Sequence, residues 1–351
     1  MHRRIRLISG GLVAACALAG TQIALAQAPD PNSSPNPNDV SMGGVAPDHT
    51  AIVTLQGENA SISSAALTDR YYVNGIRLGF VSGTGSAPQV VNDFATNLFG
   101  PGQTRFDLGL SQQLYTPRDD RAVIPPPGDR PYAATLLGHI GLQQDSDETR
   151  STLGLDFGVL GPLAQGQEVQ NGFHDIIGQA HANGWSTQLR NEPLFEILAS
   201  RVYREPLGTV GPFETDTLLD GSVGVGNLKD YAEFGGQLRI GSGLNSDFGV
   251  ARLRPGQSGG DTFKGTQPFA YYAFVGVSGQ GILHNELLDG ESFGNSAHVH
   301  SYPYLGEIEG GIGVIFHGAR LTYTQVAQTQ EFHHQKGGLH QFGSLALSVR
   351  F

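Results

Sequence analysis

A histidine and a glutamine one helical turn apart are the residues of this sequence best suited to acid–base chemistry. Residues 167–182 have helical spacing, with an apolar stripe formed by Val169, Phe173, Ile176 and Ile177. Gln170 and His174 are four residues apart and share another face, which His181 joins if the helix persists. We expect the stripe to anchor the helix and to hold His174 as a general base beside the Gln170 amide. The alternative is a histidine on a solvated loop helix.

Two further patterns contain potentially reactive residues. The stretch 256–260 has the form G-x-S-x-G, but a nucleophile elbow needs a strand before it and a helix after it, and here a flexible glycine-rich turn is expected. Four histidines could meet at a metal, namely His298, His300, His333 and His334. They have no accompanying carboxylate and no metal-ligand spacing, so solvated loop histidines are the simpler interpretation.

Four arginines cluster in two segments that precede predicted strands: Arg70, Arg118, Arg121 and Arg130. Guanidinium groups bind phosphate through paired hydrogen bonds, so these arginines are candidates for binding a phosphorylated ligand. Each also has an acidic neighbour, and salt bridges to Asp69, Asp119, Asp120 and Asp129 are the alternative.

The composition narrows the class of protein. The chain has 351 residues, 50 of them glycine, and only 15% are charged. A hydrophobic content of 39% argues against a disordered acidic chain, and this much glycine disfavours a helical enzyme. A net charge of -11 and only three lysines argue against nucleic-acid binding, which needs a basic face.

The first 50 residues resemble an export signal followed by a leader. Arg3, Arg4 and Arg6 precede a short apolar stretch, and Ala24-Leu25-Ala26 has the form of a cleavage site, which predicts a signal peptide over residues 1–26. Cys16, the only cysteine, would be removed with it. A lipoprotein box ending at Cys16 is the alternative. Residues 27–50 are polar and rich in proline, and we expect them to be disordered.

Residues 51–351 show the period-two alternation of half-buried strands. Twelve runs follow this pattern: about 52–59, 72–82, 104–115, 132–144, 149–160, 193–204, 214–226, 230–241, 268–283, 303–316, 319–329 and 341–351. Most have the 9–11 or more residues that a tilted strand needs to cross a membrane. We therefore predict an all-β fold, a twelve-stranded antiparallel transmembrane β-barrel with a short helix in an extracellular loop. A soluble β-sandwich is the alternative.

Because successive strands alternate in direction, the number of each strand predicts the end of the barrel at which the following loop lies. If both termini are periplasmic, the extracellular connections are 60–71, 116–131, 161–192, 227–229, 284–302 and 330–340. The candidate helix and all four arginines then lie at one end. The connections 83–103 and 242–267 are long for periplasmic turns, which are usually short.

Several short blocks of the sequence together form a specific pattern: Val159-Leu160-Gly161-Pro162, Gly166-Gln167-Glu168-Val169-Gln170-Asn171, His174, Ile176-Ile177-Gly178, Gly184-Trp185, Gln188, residues 69–75, Tyr115-Thr116-Pro117 and Asp129-Arg130-Pro131-Tyr132-Ala133. These blocks resemble the LpxR family of outer-membrane lipid A 3′-O-deacylases. They occur in the family's order and cover most of residues 52–205. The C-terminal half is similar only as barrel strands.

The resemblance implies a site at the outer leaflet that hydrolyses an ester-linked acyl chain with calcium. By position, His174 would be the base, with Gln170 beside it, and Asn59 would stand for the asparagine of the family's Asn-Asp pair. Two residues depart from the family, because Ala60 replaces the aspartate of that pair and Val73 replaces a threonine. Calcium prefers carboxylate ligands, so Glu58, next to Asn59, becomes the second candidate ligand if a bulge turns it to the same face.

The sequence therefore supports two functions from different classes. The first is an outer-membrane ester hydrolase whose ligand is lipid A, or lipopolysaccharide, among outer-membrane lipids. The second is a non-catalytic outer-membrane barrel, either a pore or an inactive relative. Inward-facing polar residues such as Glu233, Gln237, Arg239, Glu307 and Glu309 could instead plug the lumen.

Overall fold

The barrel of this protein closes through twelve antiparallel strands. The computed structural model describes residues 42–63, 70–250, 252–254, 257–258 and 261–351. The barrel strands are β1 (Ile52–Asn59), β2 (Tyr71–Val81), β3 (Gln103–Thr116), β4 (Ala133–Asp145), β5 (Thr149–Leu160), β6 (Glu192–Val210), β7 (Phe213–Gly226), β8 (Lys229–Ser242), β11 (Phe269–Asn285), β12 (Tyr304–Phe316), β13 (Ala319–Gln328) and β14 (His340–Arg350). A separate two-stranded ribbon is formed by β9 (Leu253–Arg254) and β10 (Gln257–Ser258). The predicted barrel and its strand number are confirmed.

Each barrel strand pairs with its neighbours along the chain, and β1 pairs with β14 to close the sheet. All the connections predicted to be extracellular therefore meet at one end, which we call the outer end, and the others meet at the inner end. Closure leaves no strand edge unpaired, which a sheet in a membrane requires.

Alternation along the strands separates an apolar outside from a polar inside. On β2, Ile76 and Leu78 are exposed while Arg77 between them is buried in the lumen. The other strands repeat this pattern, with exposed outward residues such as Leu110, Phe195 and Ile312. An apolar belt of this kind on a closed barrel is suited to lipid, because hydrocarbon replaces the protein core that would otherwise cover it.

The long inner-end connection between β8 and β11 turns back into the lumen. Its Asp247 forms ion pairs with Arg239 at 2.5 Å and with Arg320 at 3.1 Å, and both arginines project inward from the wall. Arg252 of the same segment bonds Glu307 at 3.0 Å and Glu309 at 2.9 Å. The length of this connection, unusual for a turn, therefore reflects an internal plug, and a polar network occupies the lumen.

The predicted disorder of the leader is wrong for its last residues. Asp48 lies within 3.0 Å of Arg105 and 2.8 Å of Arg350, and Val45 is buried. These contacts fasten residues 42–50 to the inner end of the barrel, so the ordered chain begins before residue 51. The predicted signal peptide lies outside the described residues.

Helices are short and lie in the connections: α1 (Gln89–Phe99) at the inner end, and α2 (Gly166–Ile177) and α3 (Glu286–Asp289) at the outer end. In the described part of the chain, no helix is both long and apolar enough to cross a membrane. Helix α2 is the predicted helix of the third outer loop. The barrel is the wall against which this helix lies.

Candidate active site

Helix α2 is delimited by two residues in the left-handed region of backbone conformation. Gln165 precedes it at φ 56°, and Gly178 ends it at φ 71°. A glycine with positive φ is the usual way to stop a helix, because it lacks the Cβ that makes this conformation costly. His181 therefore lies beyond the helix, where it is half-exposed and bonds Asp175 at 2.7 Å. The helix does not persist to bring His181 onto the face of His174.

The helix packs against the outer surface of the barrel, and its buried face is polar. Gln170 is 5% exposed and His174 is 4% exposed, whereas Ile176 is 78% exposed. The expectation that the apolar stripe anchors the helix is wrong. The stripe faces away from the wall because the medium around a membrane barrel is hydrocarbon, which suits apolar side chains as well as a protein core does.

The N-terminal end of α2 touches the wall so closely that it requires glycine. A Cβ at Gly166 would lie 2.6 Å from the Cβ of Ala134 and 2.6 Å from the ring of Trp185. Just before the helix, Gln112 on the outer face of β3 donates to the Ala164 carbonyl at 2.6 Å. These contacts fix the height and the distance of the helix relative to the barrel.

His174 is oriented by a backbone carbonyl. Its Nδ1 lies 2.7 Å from the oxygen of Ala180, in the turn that follows the helix. A carbonyl only accepts, so Nδ1 carries the proton of the neutral ring and Nε2 is then the basic nitrogen. This is the tautomer control that a histidine acting as a general base needs.

Gln170 is oriented by the single tryptophan of the chain. Trp185 Nε1 donates to Gln170 Oε1 at 2.9 Å, which fixes the amide and leaves its NH₂ group as the remaining donor. Gln170 Nε2 is buried and has no hydrogen-bond partner within the described residues. A buried donor without a partner costs about 1–3 kcal/mol, so this amide is suited to a ligand oxygen or a water molecule.

The floor beneath the helix is an apolar cluster on the outside of the barrel. It contains Val73, Leu114, Tyr132, Ala134 and Trp185. Val73 sits at the irregularity between Tyr72 and Asn74 where β2 changes register against β3. Its side chain is buried in this cluster. We call the junction between α2 and the outer surface of the wall the crevice.

Asn59 lies on the same outer face, farther around the wall. Backbone pairing aligns Asn59 with Asn74, Asn74 with Leu114, and Leu114 with Ala134, in one row. Neighbouring strands are about 4.8 Å apart, so Asn59 is roughly 15 Å along the wall from the position where Gly166 contacts Ala134. Its side chain accepts from Ser61 N at 2.7 Å and donates to Asn74 at 3.3 Å.

Glu58 does not share that face, and its prediction as a metal ligand beside Asn59 is corrected. The pairing of β1 shows no bulge, so Glu58 points into the lumen, where it is fully buried. It accepts from the Tyr72 hydroxyl at 2.9 Å and from Leu253 N at 2.9 Å. Glu58 thus binds the plug to the wall.

The four arginines separate into different environments. Arg130 is 1% exposed and bonds Glu331 at 3.2 Å with its guanidinium over Tyr115, so it supports the inside of the outer end and is not available to a lipid phosphate. Arg118 and Arg121 are exposed on the second outer loop. Arg70 lies over the Tyr71 ring. Only the last three keep a position compatible with phosphate binding, and Asp69 lies outside the described residues.

The described residues around Asn59 do not fit a calcium site. Asn59 and Asn74 supply neutral amide oxygens, Ala60 supplies no side-chain ligand, and Glu58 points away. In the described part of the chain, no group of three or more histidine, cysteine or acidic residues could hold a metal ion. Calcium prefers six to eight oxygens with carboxylates among them, so the described donor set falls short.

As far as the structure describes them, the remaining sequence motifs are not part of a site. The serine of the G-x-S-x-G stretch belongs to β10 of the ribbon, which pairs with β9 instead of leading into a helix. His300 and His333 do approach, with ring centroids 6.4 Å apart, but His333 stacks on Tyr302 at 4.2 Å. Two other residues had no role predicted from the sequence. Trp185 could have been selected because it stands in a block that resembles the family, and Asn74 because it lies on the same face of the sheet as Asn59.

The closed barrel, its apolar belt and the crevice on its outside define an outer-membrane β-barrel protein with a candidate site that faces the lipid. The family model described as "Outer membrane protein LpxR" matches residues 12–351, and the chain belongs to this family. Among solved structures, LpxR from Salmonella typhimurium is similar at 20% identity and a TM-score of 0.71, covering 86% of this chain and 100% of that one. This likeness confirms the fold.

More distant barrels are similar only in outline. The translocator domain of the autotransporter NalP from Neisseria meningitidis has 10% identity and a TM-score of 0.36, and covers 90% of each chain. The comparison with curated proteins gives no match.

Proposed function

We propose that this protein hydrolyses an ester-linked acyl chain of lipid A in the outer leaflet, with His174 as the general base. The observation that carries the proposal is the buried pair in the crevice: a histidine oriented through Nδ1 next to an amide donor without a partner. His174 Nδ1 and Gln170 Oε1 each form a hydrogen bond that fixes the side chain, and catalytic groups need to be positioned in this way.

The position of the crevice supports a lipid substrate. Its floor is the apolar cluster on the lipid-facing side of the wall, and the apolar stripe of α2 is exposed on the side of the helix that faces away from the wall. An acyl chain can enter from the surrounding bilayer without crossing water, while the sugar to which it is esterified stays at the outer end.

The reaction we propose is a single displacement by water. His174 Nε2 takes a proton from a water molecule as its oxygen attacks the ester carbonyl. The Gln170 NH₂ group then donates to the oxyanion of the tetrahedral intermediate, which offsets part of the charge that develops there. As the intermediate collapses, the imidazolium returns the proton to the departing sugar oxygen, which gives a fatty acid and a free hydroxyl. We route no step through calcium, because the described donors do not fit it.

The alternative of an open pore is disfavoured by the plug. Asp247 and Arg252 tie the returning segment to strands β8, β12 and β13 of the wall, and the bonds are buried. An inactive relative remains the competing proposal, and a measurement of activity decides between them.

The test is the lipid A profile of cells that express wild type or His174→Ala, read by mass spectrometry, together with turnover in detergent. We expect roughly two to four decades less hydrolysis in His174→Ala, because general-base catalysis contributes about that much. His181→Ala is the matched control, since it removes an exposed histidine of the same loop and should keep its activity. Wild-type turnover in His174→Ala, with the barrel folded by its shift on unheated gels, would rule out this mechanism.

A further inference from the structure

A second cavity at the outer end lies between the second and the sixth outer loops. It has a volume of about 500 Å³ and is lined by Tyr71, Arg118, Asp119, Pro126, Pro127, Gly128, Asp129, His334 and Lys336. That volume is in the range of small-ligand sites. None of these residues belongs to the floor of the crevice under α2.

Two cations, Arg118 and Lys336, line this cavity together with two carboxylates. Lys336 is one of three lysines in an acidic chain, and neither it nor the Arg118 side chain forms an ion pair with another described residue. The two carboxylates also hold the loop: Asp129 accepts from the backbone of Arg118 at 3.0 Å and of Arg130 at 2.9 Å, and Asp119 accepts from the backbone of Arg121 at 3.1 Å. An anion placed here would meet both positive charges.

The lysine is held in place by its backbone. The Tyr71 hydroxyl donates to the Lys336 carbonyl at 2.9 Å and accepts from its amide at 3.0 Å. Tyr71 is buried and has φ 66°, which is an uncommon conformation for a residue with a large side chain. Backbone strain of this kind persists where the surroundings hold it, often at ligand sites. Phe332 packs edge-on against the Tyr71 ring at 5.6 Å and secures the same loop.

The rest of the lining suits a sugar. Asp119 and Asp129 have further lone pairs that can accept hydrogen bonds from hydroxyl groups. The adjacent Pro126 and Pro127 offer flat apolar surfaces for a ring. A free anion would use the cations and leave these groups unused, whereas a phosphorylated sugar would use both.

We propose that this cavity binds a phosphate monoester carried by a saccharide, as in the sugar part of lipopolysaccharide. The inference deepens the proposed function, because it names a second contact through which the same substrate is held. It also stands apart from catalysis, since a soluble sugar phosphate should bind whether or not His174 is present.

The test measures binding of glucosamine 6-phosphate by calorimetry to detergent-solubilised His174→Ala protein, so that turnover plays no part. Arg118→Gln and Lys336→Gln should each weaken binding roughly tenfold or more, because a hydrogen bond to a charged group is lost. Arg190→Gln is the matched control: it removes an exposed charge at the same end, outside the cavity, and should bind like its parent.

Further probes separate the sources of the anion. If the site takes a saccharide phosphate, inorganic phosphate should bind more weakly than glucosamine 6-phosphate and show the same sensitivity to Lys336→Gln. Equal binding of the two would instead indicate a site for free phosphate. Equal binding of glucuronate, or equal losses in Arg190→Gln and Lys336→Gln, overturns the proposal, because the effect is then general charge attraction. Both side chains are exposed, so folding is expected to survive, and the gel shift of unheated protein checks it.

Discussion

The contact between Gly166 and the barrel wall makes a sharp prediction about how the crevice works. In Gly166→Ala the new Cβ would stand 2.6 Å from the Cβ of Ala134 and 2.6 Å from the ring of Trp185. Carbon atoms rest about 3.5–4.0 Å apart, so the start of α2 must move by roughly 1 Å. Trp185 cannot simply turn aside, because its Nε1 holds Gln170.

We expect this small shift to lower turnover by about a hundredfold, since a misplacement near 1 Å costs that much in a positioned site. The assay is release of fatty acid from lipid A in detergent. Trp185 is the only tryptophan, so its fluorescence reports the same displacement independently of activity. The emission of Gly166→Ala should shift to longer wavelength as water reaches the ring.

Gly172→Ala is the matched control for this substitution. Gly172 is in the same helix, and a Cβ there meets nothing within 4 Å. Alanine should stabilise the helix by about 0.5–1 kcal/mol without moving it. If both variants lose activity equally, or if Gly166→Ala keeps both its turnover and its emission, then the packing of α2 on the wall does not position His174.

Three other substitutions test separate parts of the structure. Trp185→Phe should lower turnover about three- to tenfold, measured in the same assay, because one hydrogen bond that orients Gln170 is lost; an unchanged rate would mean that the amide has no role. Ala60→Asp places a carboxylate at a fully buried position beside Asn59, so calcium should raise its melting temperature more than that of wild type, and equal shifts would argue against a metal here. Asp247→Asn removes a buried carboxylate from Arg239 and Arg320, which keep Asp216 and Asp261 as charged partners, and should lower the free energy of unfolding in urea by about 1.5–3 kcal/mol, whereas exposed Asp93→Asn should not.

Much of the barrel could be predicted because strand alternation is a local property. The pattern Ile76-Arg77-Leu78 specifies opposite faces whatever lies around it, and the same rule placed Glu58 and Asn59 on opposite sides of β1. The alternating direction of successive strands then placed the six predicted extracellular loops at one end of the barrel. A helix was also predicted, over residues 167–182, because its periodicity is local; the structure places it at Gly166–Ile177 and ends it earlier, at Gly178.

The orientation of that helix was decided only by the tertiary structure. Hydrophobic spacing identifies the two faces of α2, but it does not say which face meets protein, and here the medium outside the barrel is apolar. His174 and Gln170 are consequently buried, while Ile176 is exposed. Ala180 orients His174, and Trp185 orients Gln170. Both partners follow the helix in an irregular segment, whose path cannot be predicted from hydrophobic periodicity.

The lumen and the second cavity also depend on contacts between distant parts of the chain. Asp247 meets Arg320 across 73 residues, and Tyr71 meets Lys336 across 265. Each of these residues alone is compatible with an exposed loop or a strand end. Only closure of the sheet brings them together, because it joins β1 to β14 and folds the connections at each end over the same barrel.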